Sequence, residues 1–136
     1  MKEEEAIESK TIDSSIWLEY VFEGKHREII EGKNRLLLSI VSLFEIKKRL
    51  KIKKVSEKEI KEKMKYIKDR SILILVNENI ADKAVDLSIT HNLPAIDAII
   101  YATSTINEAE LLTLDNDFRG LSNAKVLDKE EDKKDK

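Results

Sequence analysis

The chain of 136 residues is predicted to fold as a three-layer α/β sandwich around a mainly parallel sheet of four to five strands. Three observations carry this expectation. Short, almost wholly apolar runs recur at residues 36–41, 72–76 and 111–114, as strands covered on both faces should. Stretches with helical apolar spacing separate these runs, so strand and helix alternate, and parallel neighbours need such crossovers. Three Gly and one Pro leave few sharp turns, which favours long helices over a many-stranded sandwich.

Taken in order, a first strand is expected over 9–13. A helix follows over 15–23, with Ile16, Tyr20 and Val21 inward before Gly24. Residues 26–31 add a short helical turn that stops at Gly32. The second strand covers 36–41, and Ser42 opens a helix whose Leu43, Ile46 and Leu50 share one stripe. Ser56 opens the next helix. Ser56 and Glu59 have capping-box spacing, Val55 can pack back on Ile60, and Ile60, Met64 and Ile67 continue the apolar face.

The third strand is 72–76. Asn79 is the expected cap of a helix with Ile80, Ala84 and Leu87 inward and Asp82, Asp86 and Ser88 at the surface. That helix stops near His91-Asn92, ahead of Pro94. A helix over 96–107 carries Ile96, Ile99, Ile100 and Thr103 on one side; a fourth strand over 110–114 and a fifth over 124–127 follow. The folded domain is therefore 9–127. Residues 1–8 read as a flexible N-terminal extension and the wholly charged residues 128–136 as a disordered tail.

Composition narrows the chemistry. The formal charge of −2 comes from 25 basic and 27 acidic side chains, so any nucleic-acid binding must come from a local patch. The absence of Cys excludes disulfides, thiolate zinc sites and a cysteine nucleophile, and fits a reducing, cytoplasmic setting. Two His, in unrelated contexts, argue against a histidine metal site. The longest apolar run, 36–44, is broken by two Ser and too short to cross a bilayer, and acidic residues 1–8 do not read as a secretion signal.

The informative residues are acids at element junctions. Asp13 closes the first strand, Glu45 follows the second, Asp115 follows the fourth, and Asp117 lies two residues on. In a parallel sheet, sites form beyond the carboxyl ends of strands at the switch in strand order. Asp97 does not follow a strand, so topology places it least directly. Each acid also has an ordinary role. Asp13 can cap a helix, Ser42 and Glu45 match a capping box, Asp97 suits a first helical turn, and Asp115 or Asp117 can cap a short turn. Together, several carboxylates at one sheet edge would repel one another unless a proton or a cation neutralises them. An all-oxygen set suits Mg²⁺ or Mn²⁺ rather than zinc.

Four segments in order, Thr11–Ile16, Ser39–Ile46, Leu93–Thr103 and Leu111–Phe118, make the chain resemble a PIN domain, the nuclease fold of VapC-type toxins. The similarity spans about residues 9–127. It implies that Asp13, Glu45, Asp97 and Asp115 are the family's acidic quartet, that Asp117 is a further acid, and that Ser15 and Thr113 support the acids. The expected assignment puts a first ion on Asp13 and Asp97, with Glu45, Asp115 and Asp117 holding waters or a second. The resemblance further implies an endoribonuclease that hydrolyses RNA with a metal-activated water, restrained by a cognate antitoxin and paired as a homodimer.

Lys47, Lys48, Arg49 and Lys51 belong to the strongest basic run and are candidate RNA-binding residues; their ordinary role is a solvated helix end. Trp17, Tyr20 and Phe22 invite base stacking, but aromatics just after a first strand are ordinarily core or partner contacts. The alternative function is a PIN-like RNA- or protein-binding module with little or no catalysis. A haloacid dehalogenase-like phosphatase is disfavoured because Asp13 is followed by Ser14-Ser15, and no Gly-rich phosphate loop is present.

Overall fold

A computed structural model describes residues 7–128. The five strands are β1 (Ser9–Ile12), β2 (Arg35–Ser39), β3 (Ser71–Ile74), β4 (Glu110–Thr113) and β5 (Ala124–Val126). The helices are α1 (Ser14–Glu23), α2 (Arg27–Ile30), α3 (Ile40–Ile52), α4 (Glu57–Arg70), α5 (Glu78–His91) and α6 (Ala95–Ile106), with a 3-10 turn at Asn116–Phe118. The strands form one parallel sheet in the order β3-β2-β1-β4-β5. The predicted three-layer α/β architecture is thus what the chain adopts.

Strand order creates the switch. The chain runs outward from β1 through β2 to β3, then returns to the other side of β1 for β4 and β5. The carboxyl ends of β1 and β4 lie side by side there, with Ile12 opposite Leu112. Two apolar clusters hold the sheet. One joins Trp17, Ile46, Leu50, Ile60, Met64 and Ile67 around Ile12, Leu36 and Leu38. The other joins Ile80, Ala84, Ala98, Ile100 and Tyr101 around Leu111 and Phe118. Trp17, fully buried, is therefore core, whereas Phe22 at the end of α1 is 42% exposed.

Several local expectations hold. Ser56 caps α4, with its hydroxyl accepting the Glu59 N–H at 3.2 Å. The α5 helix ends at Asn92 in the left-handed region. Three expectations shift. The α3 helix begins at Ile40, because Ser39 rather than Ser42 accepts a first-turn N–H, that of Val41. Asn77, not Asn79, caps α5, through the Ile80 N–H at 2.9 Å. The third strand is not covered on both faces. It is an edge strand that leaves Ile72 47% and Leu73 37% exposed. Around it Leu75, Val76, Val85 and Ile89 are also exposed.

Arg70 closes the turn between α2 and β2, its guanidinium donating to the carbonyls of Ile30, Gly32 and Asn34. Most of the expected extension and tail lies outside the described residues. Of their edges, the Glu8 carbonyl accepts the Arg35 N–H at 2.9 Å, and Asp128 lies 3.8 Å from Arg119.

Candidate active site

Asp13 follows the last residue of β1 and stands at the N-cap position of α1, yet its side chain makes no capping bond. Its backbone N–H is held by the Leu112 carbonyl at 3.0 Å, which fixes it against β4. Two hydroxyls, Ser15 Oγ and Thr113 Oγ1, each donate to Asp13 Oδ2 at 2.8 Å. Ser15 Oγ in turn accepts the Leu114 N–H, and Thr113 Oγ1 accepts the Asp115 N–H at 3.0 Å. Each hydroxyl therefore spends its proton on Asp13 and its lone pair on the β4 loop. Asp13 is 6% exposed and Thr113 fully buried, so the pair ties the two strand ends rigidly together.

The other acids arrive from three elements. Glu45 lies in the second turn of α3, which removes the capping-box explanation, and accepts a bond from Ser14 Oγ at 2.9 Å. Asp97 lies in the first turn of α6, which begins after Pro94. Asp115 caps the 3-10 turn, its Oδ1 accepting the Asp117 N–H at 2.9 Å, so its capping role is real but occupies one oxygen only. Carboxylate oxygens of Asp97, Asp115 and Asp117 all lie within 4.8 Å of one another.

A cavity of about 420 Å³ is lined by Asp13, Ser14, Ser15, Leu18, Glu19, Phe22, Glu45, Arg49, Lys53, Asp97, Leu114 and Asp115. The four acids singled out in the sequence thus share one space. Asp117 joins through its contact with Asp97 and Asp115. Among the described residues none of these five acids has a Lys, Arg or His partner within 4.0 Å. The electrostatic result is plain. Burial, then Asp115, Asp117 and Asp13, push the Asp97 carboxyl up from 3.8 to about 7. Burial is also the main cause raising Glu45, with Asp13 and Asp115 adding to it against the Ser14 hydrogen bond and the charge of Lys48. The first-turn dipole that would favour an ionised Asp97 is outweighed.

Such a set fits a hard divalent cation. All the donors are oxygens, three acids are close enough to share an ion, and among the described residues none of those three has a cation within 4.0 Å. Asp13 keeps Oδ1 clear of protein hydrogen bonds among the described residues, because both hydroxyls bind Oδ2.

The basic run divides. Arg49 lines the acid cavity, but Lys47, Lys48 and Lys51 line a separate groove with Ile40, Leu43, Phe44 and Ile52. Lys48 Nζ sits 5.8 Å from the centre of the Phe44 ring. Helix periodicity accounts for part of this: Arg49 follows Glu45 by one turn, whereas 47 and 51 turn to other faces, and Lys48, three residues from Glu45, lies between the two and still exerts its charge on Glu45. Lys53, Phe22 and Glu19 were not among the expected site residues. The signal for Lys53 was its spacing of eight from Glu45, readable once the phase of α3 is fixed. Glu19 is gripped by the buried His26, whose Nε2 lies 2.9 Å from Glu19 Oε1. His26 is thus not in an open loop, and His91 is exposed at the end of α5.

Comparison with known proteins follows this geometry. Among solved structures, a toxin–antitoxin complex from Klebsiella pneumoniae matches with a TM-score of 0.73 at 21% identity, over 86% of this chain and 96% of the other. VapBC2 from Rickettsia felis, bound to a DNA fragment from its promoter, matches with a TM-score of 0.73 at 14% identity, over 88% and 99%. VapC20 from Mycobacterium tuberculosis, a toxin that cleaves the sarcin-ricin loop, matches with a TM-score of 0.62 at 14% identity, over 83% and 95%. No curated protein sequence matches. The PIN domain profile matches residues 10–123, from within β1 to the residue before β5, and the chain belongs to the PIN domain family.

Proposed function

We propose that this PIN domain is a metal-dependent endoribonuclease, the toxin of a VapBC-type pair. The observation that carries the reading is the convergence, at the switch point of the sheet, of five carboxylates that make no ion pair within 4.0 Å among the described residues. A fold has no structural use for such a cluster, since each added charge raises the cost of the others. Asp97, Asp115 and Asp117 would hold one Mg²⁺ or Mn²⁺, with Asp13 and Glu45 on the remaining walls as further ligands or as acceptors for waters. A divalent ion supplies Lewis-acid charge next to a scissile phosphate and makes water acidic enough to attack it.

The chain's own residues do the rest. Ser15 and Thr113 hold the Asp13 carboxylate in one orientation, Ser14 does the same for Glu45, and Asp117 N–H fixes Asp115. Asp97, poised near neutrality, can give up its proton as an ion arrives. The phosphodiester class is supported by the hard-cation set and by the likeness in fold to a toxin that cleaves the sarcin-ricin loop.

A protein partner belongs to the same reading. The exposed apolar residues of β3 and α5, and the apolar groove along α3, are surfaces that an antitoxin segment or a second copy would cover. No helix among the described residues is long and apolar enough to cross a membrane. Asp13→Asn and Asp97→Asn are expected to abolish Mg²⁺-dependent cleavage of RNA while leaving the circular dichroism spectrum unchanged. Retained cleavage by both purified variants would remove the assignment. Wild-type protein that binds RNA but never cleaves it, with any divalent ion, would leave a binding module instead.

A further inference from the structure

We infer that Arg49 of α3 and Lys53 at its C-cap, together with Phe22 of α1, form the groove that grips single-stranded RNA beside the carboxylates, and that Lys47, Lys48 and Lys51 do not. The inference rests on the nuclease reading and adds how the substrate is held. A cavity walled by five acids repels a polyphosphate chain, so a substrate can enter only where cations offset that field. Among the described residues, Arg49 and Lys53 are the only Lys or Arg lining the cavity. Arg49 lies one turn after Glu45 on α3, and Lys53, the residue that caps the helix C-terminus, follows four residues later.

Neither cation is committed elsewhere, since no carboxylate lies within 4.0 Å of Arg49 or Lys53 among the described residues. Attraction to the C-terminus of α3 would favour Lys51 as much as Arg49, so the helix dipole does not explain why these two face the acids. The second wall comes from α1, which packs on α3 and presents Leu18 and Phe22 to the same space. Phe22 is 42% exposed although its helix buries Ile16 and Trp17 completely. An exposed ring beside two unpaired cations is the arrangement that takes a base on its face and its phosphates on the cations. A base can lie flat on a side chain only after leaving its own stack, which selects single strands or loops over duplex.

The test measures binding of a labelled single-stranded RNA oligonucleotide in Mg²⁺, in an Asp13→Asn background so that the RNA stays intact. R49A/K53A is expected to weaken binding at least tenfold and to flatten the plot of log affinity against log salt by about 1.4, two phosphates at about 0.7 each. K47A/K48A/K51A removes one more charge, yet is expected to cost less and leave a steeper slope. Phe22→Ala is expected to weaken binding about tenfold with the salt slope unchanged, and Phe22→Trp to restore it. An equal or larger loss in the lysine triple variant, or no binding by the background protein, overturns the groove. Cleavage by otherwise wild-type protein is read separately. RNA cut normally by R49A/K53A also overturns the groove while the nuclease stands, whereas groove-dependent binding without any cleavage upholds the groove and rejects the nuclease.

Discussion

Replacing a carboxylate of the site should make the metal-free protein more stable, and Asp97→Asn is the sharpest case. The Asp97 carboxyl is raised from 3.8 to about 7 by burial and by Asp115, Asp117 and Asp13. At about 1.4 kcal/mol per pH unit, this bounds the cost of its charge at about 4 kcal/mol. The side chain opens onto a solvent-filled cavity, so screening reduces the figure to about 1–2 kcal/mol. A group whose pKa is higher folded than unfolded adds stability at low pH and loses it as pH climbs through the folded value. The cost is therefore complete at pH 8 and fades as pH falls through the folded value toward the unfolded 3.8. Asn keeps the shape and removes the charge. In EDTA at pH 8 the variant should melt about 4–8 °C above wild type, and the gain should shrink steadily as pH is lowered toward about 4. Mg²⁺ should raise the wild-type melting temperature and leave the variant nearly unmoved. A variant that melts at or below wild type in EDTA at pH 8 would refute the claim that like charges are crowded here.

Three further outcomes follow from particular contacts. Thr113→Val removes the hydroxyl that joins Asp13 Oδ2 to the Asp115 N–H; a loss of about 2–4 kcal/mol on thermal melting is expected, with cleavage at least tenfold slower. Thr113→Ser, which keeps the bridge, should recover most of the activity. Ser39→Ala should cost about 1 kcal/mol through the lost α3 cap, whereas Ser42→Ala, whose buried hydroxyl has no partner, should be neutral or stabilising in chemical denaturation. Arg70→Met strips the carbonyls of Ile30, Gly32 and Asn34 of their donor, and hydrogen exchange should quicken across residues 30–35 with a loss of about 2–4 kcal/mol.

Much of the fold could be read from the chain because parallel strands leave a strong trace. Leu36, Leu37 and Leu38 are 4% exposed or less, as an unbroken apolar run implies. The same trace misled at residues 72–76, since apolarity reports that a strand has apolar neighbours, not whether they belong to this molecule. The start of α3 was misplaced because Ser42 and Glu45 have capping-box spacing, while Glu45 is engaged by Ser14, which sequence spacing cannot reveal. The acids were legible because topology sends strand ends to one edge. Asp97 needed the resemblance, since it comes from a helix start. The division of the basic run was hidden because the apolar stripe of Leu43, Ile46 and Leu50 fixes which face is inward but not which flank of the helix meets the carboxylates, a matter of how α1 and α6 pack beside it.

The margin formed by β3 has a consequence for handling the protein and for its dosage. Residues 71–76, Ser-Ile-Leu-Ile-Leu-Val, contain no charge, Pro or Gly, and the first four form the edge of the sheet among the described residues. That profile is the one that recruits further strands into fibrillar stacks. Copies made beyond the supply of whatever shields this border would be drawn into insoluble assemblies, so over-production should yield inclusion bodies before it yields more soluble protein.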